Sequence, residues 1–250
     1  MSKQNRIVIV GATSAIASHT ARILAQRGQT EFVLIGRDTD RLNRVAADLR
    51  ARGTENSAQV VVTNFVDPVA IQAIATEVAS AGQIDTVLIA HGSLSDQQRA
   101  QADLPYCQDE LIVNGVSAVL FAEAFASVME AAGRGTLAVI GSVAGDRGRK
   151  SNYVYGAAKG LVTRYVQGLQ HRFAATQIKV VLIKPGPTAS PMTAALVAKG
   201  LKVADVDDVA QGIVAAMDRG QPEAYVPGKW WLIMMIIRHL PRIVFNKMNI

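Results

Sequence analysis

Short apolar runs alternate with helix-period patterns along almost the whole of this 250-residue chain. The runs lie at residues 7–10, 32–35, 60–63, 86–90, 136–140, 180–183 and 224–226. Between them, apolar residues return at helical spacing over 14–26, 40–52, 69–81, 108–131, 152–173 and 206–219. Strands that alternate with helices imply βαβ units joined by right-handed crossovers. The expected fold is α/β: a doubly wound parallel sheet of about seven strands with helices on both faces. Ligands of such sheets bind outside the carboxyl ends of the strands. The irregular stretches 92–105 and 185–198 therefore read as loops over a site.

Composition narrows the class. Half of the residues are hydrophobic and 18% are charged, a balance that suits a parallel sheet covered on both faces. Residues 1–250 fit one domain with a sizeable core. The single cysteine, Cys107, leaves no internal disulfide and no cysteine metal cluster, which suits a reducing, cytoplasmic setting. No metal ligand set is expected. Residues 1–6 lead straight into the first apolar run, so no signal peptide is expected. No run approaches the ~20 apolar residues that span a bilayer. The net charge of +6 raises nucleic acid as a partner, but no basic stripe with interleaved aromatics, zinc finger or helix-turn-helix signature accompanies it. Nucleic-acid binding is not expected.

The turn after the first strand reads Gly11-Ala12-Thr13-Ser14-Ala15-Ile16-Ala17. Small residues entering a helix let phosphates approach backbone amides at the helix N-terminus, which assigns Gly11, Thr13, Ser14 and Ile16 to a nucleotide. The second strand ends Gly36-Arg37-Asp38. An acidic residue in place of Arg37 would accept from the ribose hydroxyls of NAD. Arg37 instead offers a cation to a 2′-phosphate, so NADP(H) is the expected cofactor.

Tyr155 and Lys159 are four residues apart on a predicted helix and share a face, with Ser142 thirteen residues before the tyrosine. An ordinary tyrosine hydroxyl, with a pKa near 10, is a poor acid or base at neutral pH. A nearby cation favours the phenolate, and a serine hydroxyl can hold a substrate oxygen where charge develops. The group suits proton transfer to a carbonyl oxygen while hydride moves on carbon. His91, at a strand end, reads as a local hydrogen-bonding residue. Arg147, Arg149, Lys150 and Tyr153, between the serine and the lysine, suit an anionic ligand.

These residues together resemble the short-chain dehydrogenase/reductase family, in order and over nearly the whole chain. The resemblance implies a Rossmann-type fold and the catalytic set Asn114, Ser142, Tyr155 and Lys159. Asn114 would support a water near Lys159, and Lys159 would hold the nicotinamide ribose. Asn64 and Asp67 fall at the family's acidic motif after the third strand; Asn64 replaces the Asp that contacts adenine, and Asn64 and Phe65 join the cofactor-binding set. Ile89-Ala90-His91-Gly92 replaces Asn-Asn-Ala-Gly and keeps only Gly92. Pro185, Gly186 and Ser190 match Pro-Gly-x-x-x-Thr, which holds the nicotinamide amide. The resemblance also implies a homodimer or homotetramer, paired through the helices 108–131 and 152–173.

A narrower resemblance joins residues 141–147, 153–156 and 234–242 to the decaprenylphosphoryl-2-keto-pentose reductase branch. It implies reduction of a 2-keto sugar on a polyprenyl phosphate; a general ketoreductase acting on a soluble or acyl-carrier-bound ketone is the alternative. A non-catalytic NADP-binding protein fits less, since the catalytic residues are all present. The tail 229–250 carries the eight apolar residues 230–237, two tryptophans among them, and the cations Lys229, Arg238, Arg242 and Lys247. Such a segment suits either the headgroup boundary of the inner leaflet or a wall of the pocket or subunit interface.

Overall fold

The computed structural model describes residues 5–248. Residues 1–4, where the expected leaderless start falls, and residues 249–250, the end of the expected tail, lie outside the described residues. Seven strands, β1 Asn5–Val10, β2 Thr30–Gly36, β3 Ser57–Val62, β4 Thr86–Ile89, β5 Arg134–Ile140, β6 Gln177–Pro185 and β7 Glu223–Val226, form one sheet in the order β3-β2-β1-β4-β5-β6-β7. Every neighbouring pair is parallel. The order reverses between β1 and β4, which opens a crevice at their carboxyl ends.

The strands are apolar on both faces because both faces are covered. In β1, Val8 and Val10 join one core layer while Ile7 and Ile9 join the other. The pleat of period two divides β6 in the same way: Val180 and Leu182 against Val181 and Ile183. Helices α1 Ala15–Ala25 and α2 Thr39–Ala51 cover one face. The other carries α3 Pro68–Ser80 and two long helices described below. Short polar side chains start several helices. Ser14 accepts from the amide of Ala17, Asp38 from Arg41, and Asp67 from Val69 at 2.9 Å.

Four segments differ from the sequence expectation. The expected loop 92–105 contains a helix, α4 Gln97–Ala102, capped by Asp96. The helix expected at 108–131 begins at α5 Leu104–Leu111, passes through a π turn at Ile112–Val116, and continues as α6 Ser117–Ala132. Measured as one stretch, Leu104–Ala132 is long and apolar enough to cross a membrane, against the expectation that no segment is. Its most apolar part is 56% buried within the fold, with Phe121, Phe125 and Met129 in the core, so the apolarity serves packing on the sheet. β3 starts at Ser57, earlier than expected, because an edge strand with one exposed face shows a weak apolar run.

The remaining helices are α7 Tyr153–Arg172, α8 Ala194–Ala198, α9 Val206–Arg219, α10 Lys229–His239 and α11 Arg242–Phe245. α8, with a 3-10 turn at Pro191–Thr193, falls inside the expected loop 185–198.

Candidate active site

Ser142 follows β5 in extended backbone, and the chain then turns through the 3-10 segment Val143–Asp146. That segment lies directly on α7. A Cβ on Gly145 would stand 2.6 Å from the carbonyl oxygen of Lys159, a distance no side chain tolerates. The close approach sets Ser142 beside the first turns of α7, where Tyr155 and Lys159 share a face as their spacing predicts. Ser142 Oγ accepts from the amide of Ala144 at 3.1 Å and hydrogen-bonds the Tyr155 hydroxyl.

Lys159 is buried, and its Nζ donates to the carbonyl of Ile140 at 3.0 Å. Burial without a carboxylate partner lowers its pKa to about 8. The ammonium lies 5.9 Å from the centre of the Tyr155 ring. In the protein alone the tyrosine pKa is raised, first by burial, with the Ser142 hydrogen bond pulling it down. This corrects the expectation that the neighbouring cation sets the tyrosine: here desolvation outweighs it.

Asn114 stands in the π turn, wholly buried. Its Oδ1 accepts from the amide of Ser93 at 2.8 Å, and its Nδ2 donates to Glu110 Oε2 at 2.9 Å and to Ser93 Oγ at 3.1 Å. A Cβ on Gly92, whose φ is +155°, would meet Asn114 Oδ1 at 2.9 Å and Lys159 Nζ at 3.7 Å. Asn114, Gly92 and Lys159 thus converge on one point. Glu110, the anchor of this asparagine, escaped the sequence reading, although a carboxylate one helical turn before it was the available signal.

The residues expected to hold a nucleotide follow the carboxyl ends of β1, β2, β3, β4 and β6. Gly11 holds φ +79°, and a Cβ there would lie 2.7 Å from His91 Cβ, so the turn demands glycine for conformation and for space. Thr13, Ser14 and Ile16 follow at the start of α1. Arg37 is exposed at the end of β2, 6.0 Å from the ring centre of the buried Phe65. Asn64 is exposed, its Oδ1 accepting from the amide of Val66 at 3.1 Å. Pro185 and Gly186 are buried at the end of β6. Ser190 caps the 3-10 turn, its amide donating to Thr193 Oγ1 at 3.2 Å.

Arg147 departs from its expected role toward an anionic ligand. Its guanidinium donates to the carbonyls of Ile237 and Leu240 and stacks on Phe245, tying down the tail. Trp230 approaches Gly186 so closely that a Cβ there would lie 1.9 Å from the indole nitrogen. With Met234 and Ile237 it packs on Val143 and Tyr225. The tail therefore walls the site, one of the two expectations for it.

Among the described residues, four buried side-chain polar atoms have no hydrogen-bond partner: His91 Nδ1, Gln97 Nε2, Arg149 Nε and Asn152 Oδ1. His91 belongs to the crevice. Gln97 begins α4 and accepts from the amide of Val154 at 3.0 Å, while Arg149 and Asn152 lie between Ser142 and Tyr155 in the chain. Buried polar atoms are ordinarily paired, and each exception calls for a physical explanation, such as strain, a water or a bound group.

A sequence model of the family described as short chain dehydrogenase matches residues 5–200. An uncharacterized oxidoreductase of Mycobacterium tuberculosis strain H37Rv is 34% identical over 246 residues, 97% of this chain and 96% of that one. Another uncharacterized oxidoreductase, from Streptomyces coelicolor, is 31% identical over 97% of this chain and 95% of its own. Among solved structures, a short-chain dehydrogenase from Sphingobium yanoikuyae in complex with NADPH superposes with a TM-score of 0.82 at 22% identity, covering 98% of this chain and 96% of that one. One from Burkholderia cenocepacia in complex with NADP gives 0.82 at 16% identity, covering 98% and 97%. The parallel sheet, the matched residues and these relatives agree: the chain belongs to the short-chain dehydrogenase/reductase family and is an oxidoreductase.

Proposed function

We propose that this enzyme uses NADP(H) to reduce a ketone to a secondary alcohol, and that the ketone is the 2-keto sugar of a polyprenylphosphoryl pentofuranose. The residues of the crevice fit the dinucleotide: a turn at Gly11 with no room for a side chain, a helix N-terminus behind it, Arg37 at the end of β2, and an idle buried acceptor on His91. Gly11, Thr13, Ser14 and Ile16 would hold the diphosphate, Arg37 the 2′-phosphate, Asn64 and Phe65 the adenosine end. Gly92, Tyr155, Lys159, Pro185, Gly186 and Ser190 would hold the nicotinamide end. The bound cofactor supplies hydride to carbon.

The protein supplies the proton and the field. Burial keeps the Tyr155 hydroxyl protonated, which suits it to give its proton to the ketone oxygen. Ser142 then donates its one hydroxyl proton to that oxygen as charge develops. Lys159, with its pKa lowered to about 8, would return a proton to the phenolate, and Asn114, converging with it at Gly92, would connect that lysine to solvent through a water.

The observation that carries the sugar reading is the set of unpartnered atoms on Gln97, Arg149 and Asn152. They offer two donors and one acceptor, from the segment just before Tyr155 and from Gln97, which is bonded to Val154; such a set suits a substrate rich in oxygen rather than an apolar ketone. The tail favours a lipid-linked form. Trp231, Leu232, Ile236, Ile243 and Val244 are exposed, and Lys229, Arg238, Arg242 and Lys247 lie among them. Such a face suits peripheral contact with the anionic inner leaflet of the cytoplasmic membrane. Leu104, Leu111, Val116 and Leu161, exposed on the helices expected to pair, support a homodimer or homotetramer.

Turnover of a synthetic polyprenylphosphoryl 2-keto-pentose with NADPH, beside a 3-oxoacyl thioester and simple ketones, tests the substrate. A higher kcat/KM for the thioester would replace this reading with the general ketoreductase.

A further inference from the structure

His91 lies at the end of β4, beside the Gly11 turn and against two aromatic rings. The ring centres of Phe65 and Phe121 stand 4.8 Å and 5.5 Å from its own, both edge-on. Its Nε2 is 2.9 Å from Ser117 Oγ, and Ser117 Oγ is 2.6 Å from the carbonyl oxygen of Phe65. A carbonyl oxygen only accepts. The one hydroxyl proton of Ser117 therefore goes to Phe65, and the histidine must be the donor in the remaining bond. A neutral imidazole has a single ring proton, and this chain fixes it on Nε2. Nδ1 is left as a bare acceptor, buried and without a partner. The charged groups that act on the ring are Lys159 and Arg37, both cations, which oppose a second proton.

A bare acceptor at the crevice selects a donor. The phosphates of a dinucleotide are acceptors at neutral pH, whereas its ribose hydroxyls can donate. We propose that Nδ1 of His91 accepts a hydrogen bond from a ribose hydroxyl of the bound dinucleotide, and that Ser117 and the Phe65 carbonyl set the tautomer that makes this possible. His91 is then a cofactor-binding residue in a position where the family motif has an alanine, with no side chain to make such a bond. The inference rests on the NADP(H) reading above.

The test is long-range proton–nitrogen NMR on full-length protein labelled with [15N]histidine, with His91→Phe used to assign the resonances. The free enzyme should show His91 protonated on Nε2 only. Saturating NADP+ should move Nδ1 in the direction of hydrogen-bond acceptance and leave Nε2 protonated. Repeating the titration with 2′,5′-ADP and with nicotinamide mononucleotide locates the hydroxyl on one ribose or the other; either result supports the proposal. His91→Phe should weaken NADP+ binding about tenfold, the size of one net hydrogen bond. An Nδ1 resonance unmoved by saturating NADP+, or a free enzyme protonated on Nδ1, overturns the proposal while leaving the cofactor reading intact. Absence of NADP+ binding in calorimetry overturns both.

Discussion

The guanidinium of Arg147 lies 3.8 Å from the centre of the Phe245 ring. The same group donates to the carbonyls of Ile237 and, at 2.8 Å, of Leu240, which the end of α10 leaves without helical partners. Arg147 is five residues after Ser142, so the loop that carries this serine also holds the tail. Arg147→Ala should remove about 1.5–3 kcal/mol, the usual worth of hydrogen bonds to a charged group. Hydrogen exchange over residues 229–245 should quicken with it. Arg147→Lys should restore little, because an ammonium cannot fork and stack together. Unchanged exchange in the alanine variant would show that α10 is held by Trp230 and Met234 alone.

Tyr155→Phe removes one oxygen from a site whose burial disfavours charge. The thermal midpoint should stay nearly unchanged while kcat falls by about 10²–10⁴-fold, the range for a positioned acid. Ser142→Ala should lower kcat as well, in a protein that folds normally. Retention of more than about a tenth of kcat by the phenylalanine variant would remove Tyr155 from the acid role.

Much of this was legible in the sequence because periodicity and caps are local. The apolar runs marked all seven strands, and helical spacing marked α1, α2 and α3, which Ser14, Asp38 and Asp67 cap. The Tyr155–Lys159 spacing placed two groups on one face, since a helix fixes that relation within one turn. The rest depended on distant parts of the chain. Nothing near Arg147 shows that it binds carbonyls 90 and 93 residues away. Nor does Tyr155 carry a mark in sequence that its own burial raises its pKa. The helix α4 was hidden because its short span, Gln97–Ala102, is mostly polar.

A buried ion network lies below the serine loop. Lys184 Nζ donates to Asp146 Oδ1 at 2.6 Å and Glu223 Oε1 at 3.0 Å, and Tyr225 donates to Asp146 Oδ2 at 2.7 Å. The side chains of Lys184 and Asp146 are only 1% and 2% exposed. Lys184→Met would leave a carboxylate buried without its cation, and should cost about 3–5 kcal/mol in urea unfolding. Lys184→Met with Asp146→Leu should recover part of that loss. A single variant as stable as wild type would mean that Asp146 takes up a proton or reaches water.

Cofactor choice should follow Arg37, which is exposed at the end of β2. A guanidinium forms charge-assisted hydrogen bonds with a phosphate, so NADPH should give the higher kcat/KM and Arg37→Asp should favour NADH. The preference of the wild type should narrow as salt rises, because an exposed pair is screened. Equal kcat/KM for the two cofactors in the wild type would exclude Arg37 from this role.

His91 gives the protein a pH dependence of defined sign. Burial, with the charges of Lys159 and Arg37, lowers its pKa to about 3 from an ordinary 6.5. Between those values the unfolded chain binds a proton that the folded protein does not, so stability rises with pH across that window and is lost as pH falls through it. The contribution is full above pH ~6.5 and shrinks by about 1.4 kcal/mol per pH unit below it, or about 2 kcal/mol by pH 5. His91→Phe has no such proton to bind. Wild type and variant should therefore converge, or cross, as pH falls from 7 to 5 in urea unfolding, with their difference changing by that amount. Parallel stability curves would mean that the His91 ring takes up a proton in the folded state as readily as in the unfolded one.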